Sequence, residues 1–231
     1  MRKNIISATL FLAFLFVSCD NANDLLEQYI KDGPIAYAAK ISELNTQSGY
    51  YRFRVNLYPA EDVNRSYCIL SWNIREGLKD SVKIDYKTEN FDTEKGCYFA
   101  VIDMPQSLGI QGNLAINAQN VDAFGNRSLT ETGSAYIYGA NYISSLINAS
   151  VGFSANGDKV TFEKRVGSVG NLVSYELNNG NFSNEVFVSE ESYSLVDAKA
   201  GGIIRTKTRY RIVETDIDTL EATDYLESII P

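Results

Sequence analysis

Four cations alternate along "RTKTRYRIV": Arg205, Lys207, Arg209 and Arg211. In an extended chain successive side chains take opposite faces, and like-facing neighbours lie ~6.6–6.8 Å apart. Thr206, Thr208, Tyr210 and Ile212 then share one face and the four cations the other. Such a comb suits carboxylate or sulfate groups, which a guanidinium grips bidentately. In a chain of net charge −8 it calls for an explanation. The alternative is a neutralised face, with Glu176 and Glu185 on paired strands as the offsetting acids. Cross-strand ion pairs of that kind are worth only about 0.2–1 kcal/mol each.

Other chemistry-bearing groups are sparse. There is no histidine, which excludes Ser-His-Asp and Cys-His catalysis, His-ligated zinc and the commonest general base. Glu190-Glu191 is the one adjacent acidic pair that suggests glycosidase chemistry, and it falls at an expected turn. Asp122 and Asn126 flank another turn, but two oxygens fall far short of the 6–8 that calcium needs. Dinucleotide, P-loop and nucleophile-elbow patterns are missing; Gly167-Ser168-Val169-Gly170 lacks the elbow spacing. No cofactor and no metal is expected. Trp72 falls in phase with Cys68 and Leu70, as a core aromatic would. Tyr136, Tyr138 and Tyr142 cluster where two domains should meet. Seams between domains are where pockets form, so these rings are stacking candidates, the alternative being packing that joins the domains.

The N-terminus settles the expected location. Met1-Arg2-Lys3 precedes an almost unbroken apolar run from Ile5 to Val17, too short for a spanning helix, which needs about 20 residues. A positive start, an apolar stretch and a small residue make an export signal over 1–18. "LFVSCD" resembles the bacterial lipobox, with Phe16 where that signal usually carries Leu. The resemblance implies cleavage before Cys19 and acylation of its thiol; an ordinary signal peptide with an incidental cysteine is the alternative. The three acyl chains of a bacterial lipoprotein exceed the two signals that stable anchoring requires. The expected location is therefore the cell envelope, as an outer-membrane lipoprotein, periplasmic or surface-exposed.

Without residues 1–18 the chain keeps 19 basic and 29 acidic side chains, a net of −10. That charge argues against nucleic acid. The remaining thiols are Cys68 and Cys97. In an oxidising compartment they form a candidate disulfide, the alternative being two buried free thiols.

The elements that must position these groups are strands. Fifteen tyrosines, one tryptophan and many β-branched residues suit sheets. After a tether over 19–33 the apolar period becomes two. Strands are expected near Ile35–Ile41, at Tyr51–Leu57, Cys68–Trp72 and Val82–Tyr86, across 98–104, at Leu114–Ala118, and near Ser134–Gly139. The 98–104 strand, apolar on both faces, is expected to be central. Seven short alternating strands argue a β-sandwich over 34–140. A second over 141–231 is marked by Val160 and Phe162, by Val173, Tyr175 and Leu177, by Val186 and Val188, and by a longer strand from Ile203 to Val213.

"VDAFGNRS" resembles the corner between the last two strands of a fibronectin type III domain, turning at Gly125-Asn126. "YIKDGPIAYAAK", "YCILSWN", "DSVKID", "YIYGANYISSLIN" and "GGIIRTKTRYRIVETDIDTLEATDY" resemble, in that order, a Bacteroidetes lipoprotein family of unknown function, domain of unknown function 4998. The resemblance implies an all-β lipoprotein of two consecutive fibronectin type III-like sandwiches, often near glycan-utilisation systems, and no activity. Asp80-Ser81-Val82 and Asp218-Thr219-Leu220 resemble the sequon on which Bacteroidetes attach O-glycans, making Ser81 and Thr219 candidate modification sites. The expected function is non-enzymatic: a membrane-anchored surface that binds a glycan or an envelope protein. The rival is a structural spacer or assembly subunit of an outer-membrane complex.

Overall fold

The computed structural model describes residues 37–231. The signal segment, Cys19 and the tether lie outside the described residues. The first sandwich contains β1 (Ile41–Tyr50), β2 (Arg52–Pro59), β3 (Arg65–Arg75), β4 (Leu78–Asp85), β5 (Phe91–Asp92), β6 (Cys97–Asp103), β7 (Gly112–Asp122) and β8 (Glu131–Tyr138). One layer runs β4-β3-β7-β8 and the other β1-β2-β6-β5. A short parallel contact, Gly49 with Ile137 and Tyr50 with Tyr138, joins them at one edge. Phe53, Val55 and Leu57 of β2 face Cys68, Leu70 and Trp72 of β3 in one buried cluster. Phe53 and Trp72 meet edge to face at 6.3 Å between ring centroids. Period-two burial on both layers produces this core.

The second sandwich repeats the order in shorter strands. They are β9 (Val151–Phe153), β10 (Lys159–Phe162), β11 (Ser168–Tyr175), β12 (Val186–Val188), β13 (Ser192–Ser194), β14 (Ile203–Tyr210), β15 (Leu220–Glu221) and β16 (Leu226–Ile229). One sheet runs β13-β10-β9; the other runs β12-β11-β14, with β15 and β16 both on the far side of β14. Val160, Phe162, Val173, Tyr175 and Ile204 lie in its core. A six-residue helix, α1 (Ala140–Ser145), sits between the sandwiches. The protein is all-β, with two fibronectin type III-like sandwiches in succession.

Several strand expectations shift. The first strand is Ile41–Tyr50, not Ile35–Ile41. Its sequence, ISELNTQSGY, is mostly polar and gives the core only Ile41 and Leu44. What holds it is pairing along β2, from Ile41–Pro59 to Gly49–Arg52. The 98–104 strand is not central: β6 has only two-residue β5 beyond it. Its outer face is apolar because Arg54 covers Phe99 at 4.1 Å while pairing with Asp92 at 2.5 Å. The long strand stops at Tyr210 rather than Val213.

The disulfide expectation is corrected: Cys68 and Cys97 are free and buried. Cys68 of β3 points into the core, beside Tyr86. On β6, Tyr98, Ala100 and Ile102 take the core face. Cys97 is one residue out of phase, so it leaves by the opposite face, beside Tyr58. The two thiols sit on different layers, Cys68 facing the core and Cys97 facing away from it, so the β1-β2-β6-β5 layer lies between them.

Candidate functional site

The seam between the sandwiches is built by the connection from β14 to β15. Its Ile217 N–H donates to the Ser48 carbonyl at 2.9 Å, extending the end of β1. The Gln47 Nε2 donates to the Thr215 carbonyl at 2.8 Å. Asp218 accepts from the Tyr50 N–H at 2.8 Å and from Arg52 Nε at 2.9 Å, and Arg52 Nη2 closes a second bond to the same carboxylate. The Arg52 hydrogen bonds hold the Asp218 carboxyl below the usual carboxylate range, against the opposing effect of burial. Gly49 is required here: a Cβ would stand 2.6 Å from Asp218 Oδ2 and 2.7 Å from Ile217 Cγ1.

The tyrosine cluster is the apolar half of the same seam. Tyr138 is buried at 4 % exposure, not open for stacking. It packs with Tyr210 and Leu220, flanked by Tyr142, Ile143 and Ile212. Its hydroxyl donates to Asp216 at 2.9 Å; burial, then this bond, push its phenol pKa up. Tyr142 lies 4.7 Å from it, ring to ring, and is half-buried. Tyr136, 37 % exposed, is the most open of the three. Tyr138 and Tyr142 join the two sandwiches, and Tyr136 packs on their outer side.

The cation comb does share one face of β14, but its offsetting acids differ from those expected. Glu176 pairs with Lys199 at 2.8 Å, and Glu185 accepts from the Tyr225 hydroxyl at 2.5 Å. The acids come from the other neighbours of β14: Glu227 meets Arg205 and Glu221 meets Arg209, each at 2.8 Å and directly across the ladder. Arg205 also lies over Phe182 at 4.5 Å, Lys207 over Tyr225 at 4.2 Å and Arg209 over Phe187 at 5.3 Å. Arg211 lies beyond the strand, exposed, 3.4 Å from the Thr219 hydroxyl. The comb is an ion-paired, ring-backed face. Glu190 and Glu191 are exposed. Asp122 accepts from the N–H groups of Phe124 and Asn126 at 2.8 and 2.9 Å, so it braces the turn. Among the described residues no group of three metal-ligating side chains occurs. Ser81 is exposed in mid-strand on edge strand β4, not in a connection, and Thr219 is exposed beside Asp218.

A polar groove of about 540 Å³ opens beside the seam, lined by Asn45, Gln47, Asn56, Tyr58, Lys95 and Thr215. Asn45 lies against Tyr58, and Asn56 is buried with its Oδ1 accepting from Arg54 at 2.9 Å. Gln47 Oε1 is buried without a hydrogen-bond partner. Amide side chains offer two donors and an acceptor in one plane, which matches neighbouring hydroxyls. Sequence reading missed this site because polar residues in the off-phase of a strand read as solvent-facing. The signal was there: Asn45, Gln47, Arg54 and Asn56 stack amides and a guanidinium on adjoining strands. A second cleft of about 510 Å³ holds Tyr50, Asp103 and Thr219, but its Arg52 and Asp218 bind each other and its Glu221 binds Arg209.

The strand order and the seam define a tandem fibronectin type III-like protein. The chain belongs to the family named domain of unknown function 4998, whose model matches residues 19–220. No curated protein matches it. Among solved structures it is similar to the FN1-FN3 domains of chicken CNTN1, at 12% identity and TM-score 0.42. That alignment covers 84% of this chain and 65% of the other. A family 76 glycoside hydrolase from a bovine Bacteroides thetaiotaomicron strain aligns at 12% identity and TM-score 0.33, over 43% of this chain and 20% of that one. The chain thus spans less than two thirds of the length of either.

Proposed function

We propose that the protein is a non-enzymatic, lipid-anchored envelope protein that binds a glycan in the seam groove. The observation that carries the reading is the unpartnered acceptor of Gln47. A buried polar atom without a partner calls for a donor from outside the chain. Gln47 lines the groove while its Nε2 stays on the Thr215 carbonyl, so a sugar hydroxyl entering beside Oε1 would supply that donor. Asn45 and Tyr58 on the same wall add a second amide and a ring that is apolar in body and polar at its tip. The non-enzymatic part is supported by the pairing of Asp218 with Arg52 and of Glu221 with Arg209, which leaves those carboxylates no free role as acid or base.

The test is a glycan array and titration calorimetry on the wild type and on Asn45→Ala and Tyr58→Ala. Each variant should weaken binding about tenfold, the worth of one or two hydrogen bonds. Binding that survives both substitutions moves the site elsewhere, and no binding to any arrayed glycan ends the reading. A second reading, a rigid spacer between envelope proteins, is favoured by the seam itself, where Gln47, Ser48, Tyr50, Arg52 and Tyr138 are all bonded to one connection of the other sandwich. The anchoring rests on the residues around Cys19. Alkyne fatty acid should label the wild type and spare Cys19→Ala; equal labelling of both removes it.

A further inference from the structure

Apolar side chains crowd one pole of the first sandwich. Val63, in the connection from β2 to β3, is 99 % exposed. Phe124 and Leu129, in the connection from β7 to β8, are 76 % and 61 % exposed. The two connections are tied together, since the Ala123 N–H donates to the Asn64 carbonyl at 2.7 Å. Phe124 is held out rigidly. The Asp122 carboxylate accepts from its N–H, from the Asn126 N–H and from the Asn126 side-chain amide at 2.9 Å. Gly125 takes the left-handed φ of 86° that the turn requires. A phenylalanine pinned outward on a braced turn loses little conformational freedom when it is buried.

The chain enters the fold at this same pole. The Ala39 N–H donates to Asp62 at 3.3 Å, the Asn120 amide to the Ala39 carbonyl at 2.7 Å, and the Ala60 N–H to the Lys40 carbonyl at 3.3 Å. An acyl anchor at Cys19 therefore pulls on the molecule at Ala38, beside Val63 and Phe124. Eighteen residues lie between Cys19 and Ala38, a reach of at most ~65 Å over the connecting backbone. The tether therefore joins the fold at this pole, and its length lets the pole reach a bilayer that holds Cys19.

We infer that Val63, Phe124 and Leu129 form a membrane-docking pole that inserts into the bilayer holding the acylated Cys19. The inference rests on the anchoring reading above. A lipid anchor holds more firmly when a second contact adds to it, and apolar residues rimmed by polar ones on a soluble fold mark such contacts. Docking would turn a tethered protein into an oriented one.

The test uses the full acylated protein in phosphatidylethanolamine–phosphatidylglycerol vesicles. Single cysteines replace Val63, Phe124 or, as a control on the second sandwich, Val196, which is 74 % exposed. Cys68 and Cys97 are buried and stay out of the labelling. An environment-sensitive fluorophore at Val63 and Phe124 should shift to the blue and be quenched by spin-labelled lipid, while the probe at Val196 is unchanged. In the unacylated Cys19→Ala chain, Phe124→Asp should lower vesicle partitioning by about tenfold, the worth of one buried aromatic. Its melting temperature, compared with that of Cys19→Ala alone, checks the fold. Acylated protein whose three probes behave alike overturns the pole and leaves the anchor standing. An intact mass without acyl chains removes the anchor and this proposal with it. Shielding of Val63 and Phe124 that appears without lipid and grows with protein concentration also overturns it, in favour of a second copy.

Discussion

Replacing Asp218 by Asn keeps the side chain's size and removes its charge, at the point where the two sandwiches are pinned. The carboxylate accepts from the Tyr50 N–H and twice from Arg52. Its side chain is 17 % exposed, but Arg52 is 42 % exposed, so the ion pair is screened. That pair contributes about 0.5–1 kcal/mol at most. The Tyr50 bond falls from a charged to a neutral acceptor, a loss of about 1 kcal/mol. Together the change should cost about 1.5–2 kcal/mol at pH 7. For a fold of this size that is a fall in Tm of roughly 3–8 °C. The pH dependence is a sharper check. The folded carboxyl is held below the usual carboxylate value of about 3.9. Its stabilisation is therefore fully present above that value and lost as pH falls through the lower, folded one. The gap between wild type and Asp218→Asn should be widest from pH 5 upward and close on acidification. Calorimetric melts at pH 7, 5 and 3 decide it. A variant that melts with the wild type at pH 7, or a gap as wide at pH 3 as at pH 7, refutes the reasoning.

The comb of β14 makes a double-mutant test. Arg209→Glu should destabilise by about 1 kcal/mol, and adding Glu221→Arg should return most of it, a coupling of about 0.2–1 kcal/mol; zero coupling would mean that Phe187 alone matters. Burial pushes the Cys68 thiol up to about 12, so at pH 8 the folded protein should leave Cys68 unreactive to maleimide and label it only once unfolded. An intact mass lower by two hydrogens in untreated protein would restore the disulfide. If Ser81 and Thr219 carry O-glycans, protein from its native host should exceed the mass of the lipidated chain, and each alanine variant should lose one increment; a mass equal to the lipidated polypeptide ends that proposal.

Period-two burial was legible wherever one face of a strand met the core. Phe53, Val55 and Leu57, or Val173 and Tyr175, could be placed inward from the sequence alone. Pairing was less legible, because a period says which way a side chain points and not which strand lies beside it. That is why β6 read as central. Its second apolar face comes from Phe99 under Arg54, a contact between residues 45 positions apart that no local window contains. β1 was displaced for the opposite reason: a strand whose apolar period is nearly absent, Ile41 and Leu44 excepted, is held by its neighbour's ladder. The comb shows the same limit. Its face could be deduced, but the acids that neutralise it lie on β15 and β16, and nothing in "LEATDYLE" states which neighbour of β14 they join.

Polar residues carried the least legible information. A strand's off-phase reads as solvent, yet Asn56 is 4 % exposed, and Gln47 reaches across the seam to Thr215. Asn56 is paired by Arg54 of its own strand, whereas the partner of Gln47 lies 168 residues away in the chain. The close approach that makes this possible depends on Gly49, where any larger residue would meet Asp218 and Ile217. Opening the seam there would move Thr215 away from Gln47 and widen the groove. It would also release the charge pair that makes the junction rigid. The groove and the rigidity therefore share one cause, so a binding role and a spacing role on this fold cannot be separated by breaking the seam. Only substitutions confined to the groove wall, such as Asn45→Ala, reach one without the other.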